Sequence, residues 1–456
     1  MFLYHRLPLS ARPTFHYDLR AAIFMGVRFG VVELAALVAK KSLDAPDWQL
    51  AIITGAPIAA LVLSVFWARL AAGSRKMPIV VGPQLISHAL IAACAFGTGS
   101  AMFVISYCAA TMVFCASMPA SSAIYRLNYP PTHRATIIGF TRARMFIVST
   151  LTSGLAGIIL RGDDLAAKYL GWTVETEWLL GPGAYRSVFL AGAVFGLMAT
   201  LSFGRIKVRG EKHEAVRSEN PGFGRVLAIL RTDSDFRLFL LSYFLGGFAN
   251  IMCMPLLPII IVDELDLSYD YAAYAIVTVP GLLMAVSSPG WGRILDRVNP
   301  MQARGWINLT WVFTPLLVAF GSFTGAPWPI YAGRALHGVL LGGSNIIWHL
   351  GVNFFAKKED LPIYQGIHMT STGIRGAIAP FLGVWLAHWS RERFGADVGG
   401  PKFVYLLAAG LLFLSAMTMF HLARRLRAEG RLGDFAQAEA AADGEEAGDS
   451  AENKTS

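Results

Sequence analysis

Charge is what this sequence has least of. Of 456 residues, 15% are Asp, Glu, Lys or Arg, against 55% hydrophobic, and the mean hydropathy is +0.50. A soluble domain carries about a quarter charged residues, so the composition excludes an ordinary globular protein and points to the bilayer. Cysteine is scarce too. Cys94, Cys108, Cys115 and Cys253 lie in apolar runs without CxxC or metal-type spacing, which leaves them as packing residues. HExxH, GxSxG, a glycine-rich phosphate loop and paired embedded carboxylates are missing, so neither an enzyme nor a cofactor or metal is expected. The N-terminal MFLYHRLPLSARPTFHYDLR lacks the short apolar core and small-residue cleavage site of a signal peptide, so the first apolar run is read as a retained helix.

What is present is long hydrophobic runs. A membrane helix needs roughly 20 mostly apolar residues. Twelve runs qualify, at about 20–39, 48–70, 78–97, 100–125, 132–160, 184–204, 236–262, 270–292, 302–322, 326–355, 362–389 and 402–423. With both termini and the even-numbered loops on one side, that side holds 25 Lys and Arg against 8 in the odd-numbered loops. Positive charge marks the cytoplasm, so both termini are expected there. The net charge of +9 then reflects these loops, and nucleic acid is not expected as a partner. The expected organisation is a six-helix half over 1–204, a charged loop over 205–235, a second half over 236–427, and a tail over 428–456. The tail is rich in Ala, Gly and acids, a disordered composition.

The halves echo each other in short basic loops after the second and eighth spans. The second copy reads Gly292-x-x-x-Asp296-Arg297, and a degraded first copy keeps Gly73 and Arg75. This resembles the loop signature of the major facilitator superfamily. In the tenth run, Arg334, Gly338 and Gly342 echo that superfamily's arginine motif, with His337 in the place of its glutamine. The resemblance covers the whole chain in architecture. It implies an all-α integral membrane protein with a 6+6 helix bundle; a monomer is expected. The Ala-rich chain without a signal peptide reads as a protein of the bacterial inner membrane.

Charges inside the spans mark candidate functional positions, because a central one costs roughly 2.5–3.5 kcal/mol unless it faces the bundle or water. Glu33 is the one mid-span acid in this assignment; the embedded arginines are Arg28, Arg142, Arg144, Arg334 and Arg375. At helical spacing, Arg334, His337, Asn345, Trp348 and His349 share one side of span ten. Gln365, His368, Thr372 and Arg375 form a stripe in span eleven, and Arg142, Ser149 and Ser153 one in span five. Asn250 precedes two prolines that should break span seven and free carbonyls toward a cavity. Arg28 and Glu33 lie five residues apart, about 140° around the helix, so they do not pair with each other. Glu33 shares a side with Ala22, Gly26 and Gly30, a ridge suited to close helix packing.

The expected cavity therefore holds Arg28, Arg142, Arg334, His337, Asn345, His368, Thr372, Arg375 and Asn250, with Glu33 and His368 as groups able to exchange a proton. A surplus of arginine suits an anion or a strongly hydrogen-bonding metabolite. The expected function is secondary transport of such a small solute by alternating access, coupled to protons, in the lipid bilayer. A multidrug–proton antiporter is the alternative within transport. A non-transporting sensor or scaffold on the same fold is the alternative outside it.

Overall fold

A computed structural model describes residues 8–431 apart from Ser10, 64–65, 68–69, 71–73, Thr98, 163–166, 170–178, 210–222, Asp296 and 357–359. Gly73, Asp296, residues 210–222 of the central loop and most of the tail thus lie outside the described residues. Besides a ten-residue helix at Phe223–Thr232, twelve longer helical segments follow one another among the described residues: α1 Arg12–Ser42, α2 Asp47–Leu63, α3 Lys76–Ala93, α4 Ser100–Asn128, α5 Pro131–Leu160 and α6 Tyr185–Phe203. The second set is α7 Ser234–Glu264, α8 Tyr269–Leu295, α9 Pro300–Thr324, α10 Pro327–Leu350, α11 Leu361–Phe394 and α12 Pro401–Ala428. Among the described residues, nine helices are long and apolar enough to cross a membrane by length and composition. The other three are the shorter α2 and the polar-striped α10 and α11.

Local chemistry sets many of the ends. Pro300, Pro327 and Pro401 open α9, α10 and α12, where a missing N–H costs nothing. Asp233 caps the start of α7 by accepting from the Phe236 N–H at 2.8 Å. Gly325, at φ +67°, ends α9 in the left-handed conformation that glycine adopts without penalty.

The packing pairs repeat when six is added to each label. Within the first half α1 packs on α5 and α6, α3 on α4 and α6, and α2 on α4. Within the second, α7 packs on α11 and α12, α9 on α10 and α12, and α8 on α10. Between the halves, α2 against α11 is matched by α8 against α5. Glycine permits the closest of these approaches. A Cβ at Gly26 would lie 2.6 Å from the Met145 carbonyl oxygen, and one at Gly30 would strike the Ser149 carbonyl. The small-residue ridge on α1 is therefore the face that meets α5. At the cross-half contact, a Cβ at Gly55 would lie 2.6 Å from the Gly376 carbonyl oxygen.

The cross-half ion pairs lie at the end away from the termini. Lys40 bridges Asp47 of its own half at 3.0 Å and Asp263 of the other at 2.7 Å. Arg161 meets Asp270 at 2.8 Å, Lys41 donates to the Leu267 carbonyl at 2.7 Å, and His388 meets Asp47 at 3.0 Å.

Overpacking a tight site costs about 1–3 kcal/mol. Gly26→Val should therefore lower the thermal unfolding midpoint of the detergent-purified protein. Gly410→Ala, where an added Cβ meets nothing within 4 Å, should leave it unchanged or raise it.

Candidate functional site: a cavity between the halves

A cavity of about 650 Å³ lies between the halves. Its first-half wall is made by Glu33 on α1, Thr54, Ile58 and Leu61 on α2, and Phe146, Ser149 and Thr150 on α5. Glu33 sits at a break in α1, between the helical pieces Arg12–Val32 and Ala35–Ser42. Its exposed carboxylate opens onto the cavity, with the Ser149 hydroxyl donating to it at 3.5 Å.

The second-half wall carries the cations. Arg304, Arg334, His337, Asn345, Thr372, Arg375 and Asn250 all line it. Asn250 stands just before the break at Met254 and Pro255, where α7 resumes and then widens into a π-helix over Ile260–Glu264. A second π-helix, Tyr274–Thr278 in α8, explains Arg334. The Arg334 guanidinium donates to the Ala275 carbonyl at 3.0 Å and the Ile276 carbonyl at 2.8 Å. It thus serves the backbone of α8 while bordering the cavity. His337 accepts at Nδ1 from the Trp311 indole at 3.0 Å, which leaves the proton of its neutral ring on Nε2.

Arg304 and Arg375 sit against Tyr243. The Arg304 guanidinium lies 4.3 Å above the Tyr243 ring and donates to Ser344. Arg375 donates to the Tyr243 carbonyl and, at 2.5 Å, to the Thr372 hydroxyl. Gly247 makes room for this, since a Cβ there would strike the Arg375 guanidinium.

A family model for the Major Facilitator Superfamily matches residues 21–306 and 239–442. This chain belongs to the Major Facilitator Superfamily. No curated protein matches the sequence. Among solved structures, a bacterial homologue of the human lysosomal transporter Spinster, inward-facing and unoccupied, superposes with a TM-score of 0.68 at 15% identity. That match covers 91% of this chain and 98% of the other. The nucleoside transporter NupG gives 0.66 at 12% identity, covering 89% and 98%; a D-xylose–proton symporter gives 0.65 at 14%, covering 90% and 97%. At these identities the likeness is one of fold, and it agrees with the all-α bundle of twelve helices in two sets of six.

Three residues expected at the cavity of this superfamily member lie elsewhere. Arg28, 1% exposed, points into the first half, away from the partner half. It is about 160° around α1 from Gly30, on the opposite side from α5. There it donates to Ser87 Oγ at 2.9 Å and His88 Nδ1 at 3.2 Å, with its guanidinium 4.5 Å from the Phe114 ring centre. His88 continues the network to Thr200 Oγ1 at 2.8 Å, and Thr200 donates to Gln84 at 2.9 Å. Arg142 is exposed and donates to Met145 Sδ at 3.8 Å; the α5 wall of the cavity begins one turn later, at Phe146. His368 is buried behind the wall, with ring centres of Tyr243, Trp348 and Phe239 at 5.1, 5.3 and 5.7 Å. The aromatic side chains of α7 and α10 fill the space between it and the cavity.

Of the loop motif, Arg75 and Arg297 are exposed, and Gly292 meets nothing that a Cβ would touch. Gly338 and Gly342 hold α10 against α8, where a Cβ at Gly342 would lie 2.7 Å from Ser287 Oγ. Arg304, Tyr243 and Trp311 are cavity residues that the sequence reading passed over. The signal was present as Arg304, Asn308 and Trp311, at i, i+4 and i+7.

Removing the donor to a buried carbonyl costs about 1–3 kcal/mol. Arg334→Met should therefore lower the thermal midpoint of the solute-free protein. An unchanged midpoint would show that the Arg334 contacts to Ala275 and Ile276 do not hold α8.

Proposed function

We propose that the chain is a secondary active transporter carrying a small organic anion or polar metabolite by alternating access, with Glu33 exchanging a coupled proton. The observation that carries this reading is the division of charge across one cavity: a carboxylate on the first half and arginines on the second. Arginine holds its proton under working conditions, so the exchangeable proton falls to the carboxyl. A proton-loaded Glu33 admits an anion, whereas an ionised one repels it, and this couples the two loads electrostatically.

The seal supports alternating access. The lysine and arginine pairs that join the halves are partly buried and lie at one end only, where they part without unpacking either half. The excess of Lys and Arg in the even-numbered loops supports termini in the cytoplasm, in keeping with the reading of a bacterial inner membrane protein. The sealed end then faces outward, and this state opens to the cytoplasm. The two halves, 1–204 and 236–427, move as units about the cavity, joined by the 205–235 loop.

The apolar part of the wall, with Ile58, Leu61, Phe146, Met254, Leu257 and Met284, favours the second reading of lipophilic drug export. The arginines weigh against a cationic drug.

In proteoliposomes with an imposed pH gradient, Glu33→Gln should abolish accumulation of the transported solute while leaving equilibrium exchange across the membrane. Accumulation at the parent level in this variant would remove the proton role.

A further inference from the structure

We infer that the second-half wall of the cavity is an oxyanion site, taking a carboxylate or phosphate group of the solute on Arg304, Arg375 and Tyr243. The inference rests on the transport reading and names what the cavity takes. Arg304 is 5% exposed and Arg375 3%, yet their hydrogen-bond acceptors are all neutral: Ser344, the Tyr243 carbonyl and Thr372. Among the described residues, no carboxylate pairs with either guanidinium. Arg304 Nε, Arg375 Nε and the Tyr243 hydroxyl are buried and meet no acceptor. Buried charges are strongly destabilised unless a counter-charge and further hydrogen bonds accompany them.

The other cation on this wall is satisfied differently, because Arg334 donates to two carbonyls of α8. The remaining pair flanks one tyrosine, with Arg304 over its ring and Arg375 on its carbonyl. Two like charges on one residue repel; an anion held between them turns both interactions favourable. Guanidinium groups suit this role because their planar donors match the oxygens of a carboxylate or phosphate. A neutral or cationic headgroup would leave both charges uncompensated. All three residues belong to the second half, on α9, α11 and α7, so one half alone holds the anion. The opposite wall carries Glu33, the hydroxyl residues Thr54, Ser149 and Thr150, and apolar surface, but no arginine or lysine.

The test uses the full-length protein in detergent with four probes of one ring body: benzoate, phenyl phosphate, benzamide and benzylammonium. Benzoate or phenyl phosphate should raise the thermal midpoint, and the neutral and cationic probes should not. A response to benzoate alone assigns a carboxylate, and a response to phenyl phosphate alone assigns a phosphate. Arg304→Lys and Arg375→Lys, each with its own solute-free midpoint recorded, should weaken the responding anion about tenfold, as lost bidentate contacts do. Tyr243→Phe, which removes one hydroxyl and keeps the ring, should weaken it less. No stabilisation by either anion, an equal response to benzamide or benzylammonium, or undiminished anion affinity in both lysine variants would overturn the site. Anion binding without flux in proteoliposomes would remove the transport reading and leave the site standing. Flux of a cationic or neutral solute without anion binding would do the reverse.

Discussion

The bilayer core offers no water to an embedded charge, and most of this structure follows from where its few charges find company. Asp18, 2% exposed in α1, accepts hydrogen bonds from Tyr125 and Tyr129, both at 2.9 Å. Arg28 is held by Ser87, His88 and the Phe114 ring. Both are solved within the first half and tie its helices together. Arg334 is solved by the irregular backbone of α8, whose π-helix turns carbonyls toward it. What is left over faces the cavity: Glu33 from one half, Arg304 and Arg375 from the other. Of the embedded charges without a counter-ion, those that line the cavity are the ones a solute there meets.

The same economy shapes the joint between halves. Inside each half, glycines bring backbones into close contact, as Gly26 and Gly30 do for α1 on α5. In lipid such packing replaces the hydrophobic effect as the force between helices. Between halves, the polar contacts at the sealed end are a handful of lysine, arginine and histidine pairs near solvent. Close glycine packing also crosses the joint, where Gly55 of α2 meets Gly376 of α11, so the polar pairs are only its sealed rim.

Much of this was legible in the sequence. The twelve hydrophobic runs correspond to α1–α12, and the polar-striped tenth and eleventh runs, 326–355 and 362–389, end close to α10 and α11. Arg334, His337, Asn345, Thr372 and Arg375 came from periodicity, and Glu33 from its isolation. The misses share one cause. Periodicity says which residues share a face of a helix, but not which neighbour that face meets. Arg28 and Glu33 were correctly separated on α1, yet only the packing of Gly26 and Gly30 on α5 shows that Arg28 turns from the cavity. The other misses come from span ends. Arg304 stood at the edge of the ninth run and was left out of the embedded arginines, and Asp18 fell before the first run, because hydropathy fades before the helix does. The observed helices begin at Pro300 and Arg12, which places both residues inside.

The central claim is that this sealed arrangement is one of two, with the cavity exposed alternately at opposite ends. Distances between spin labels across the halves test it most directly. One pair at residues 44 and 397 would report the end away from the termini, and one at 75 and 297 the other end; all four positions are exposed. With the protein in lipid and the proton load varied, the account predicts two populations whose distances change in opposite senses at the two ends. A single distance at each end under every condition, or both ends opening together, would contradict it.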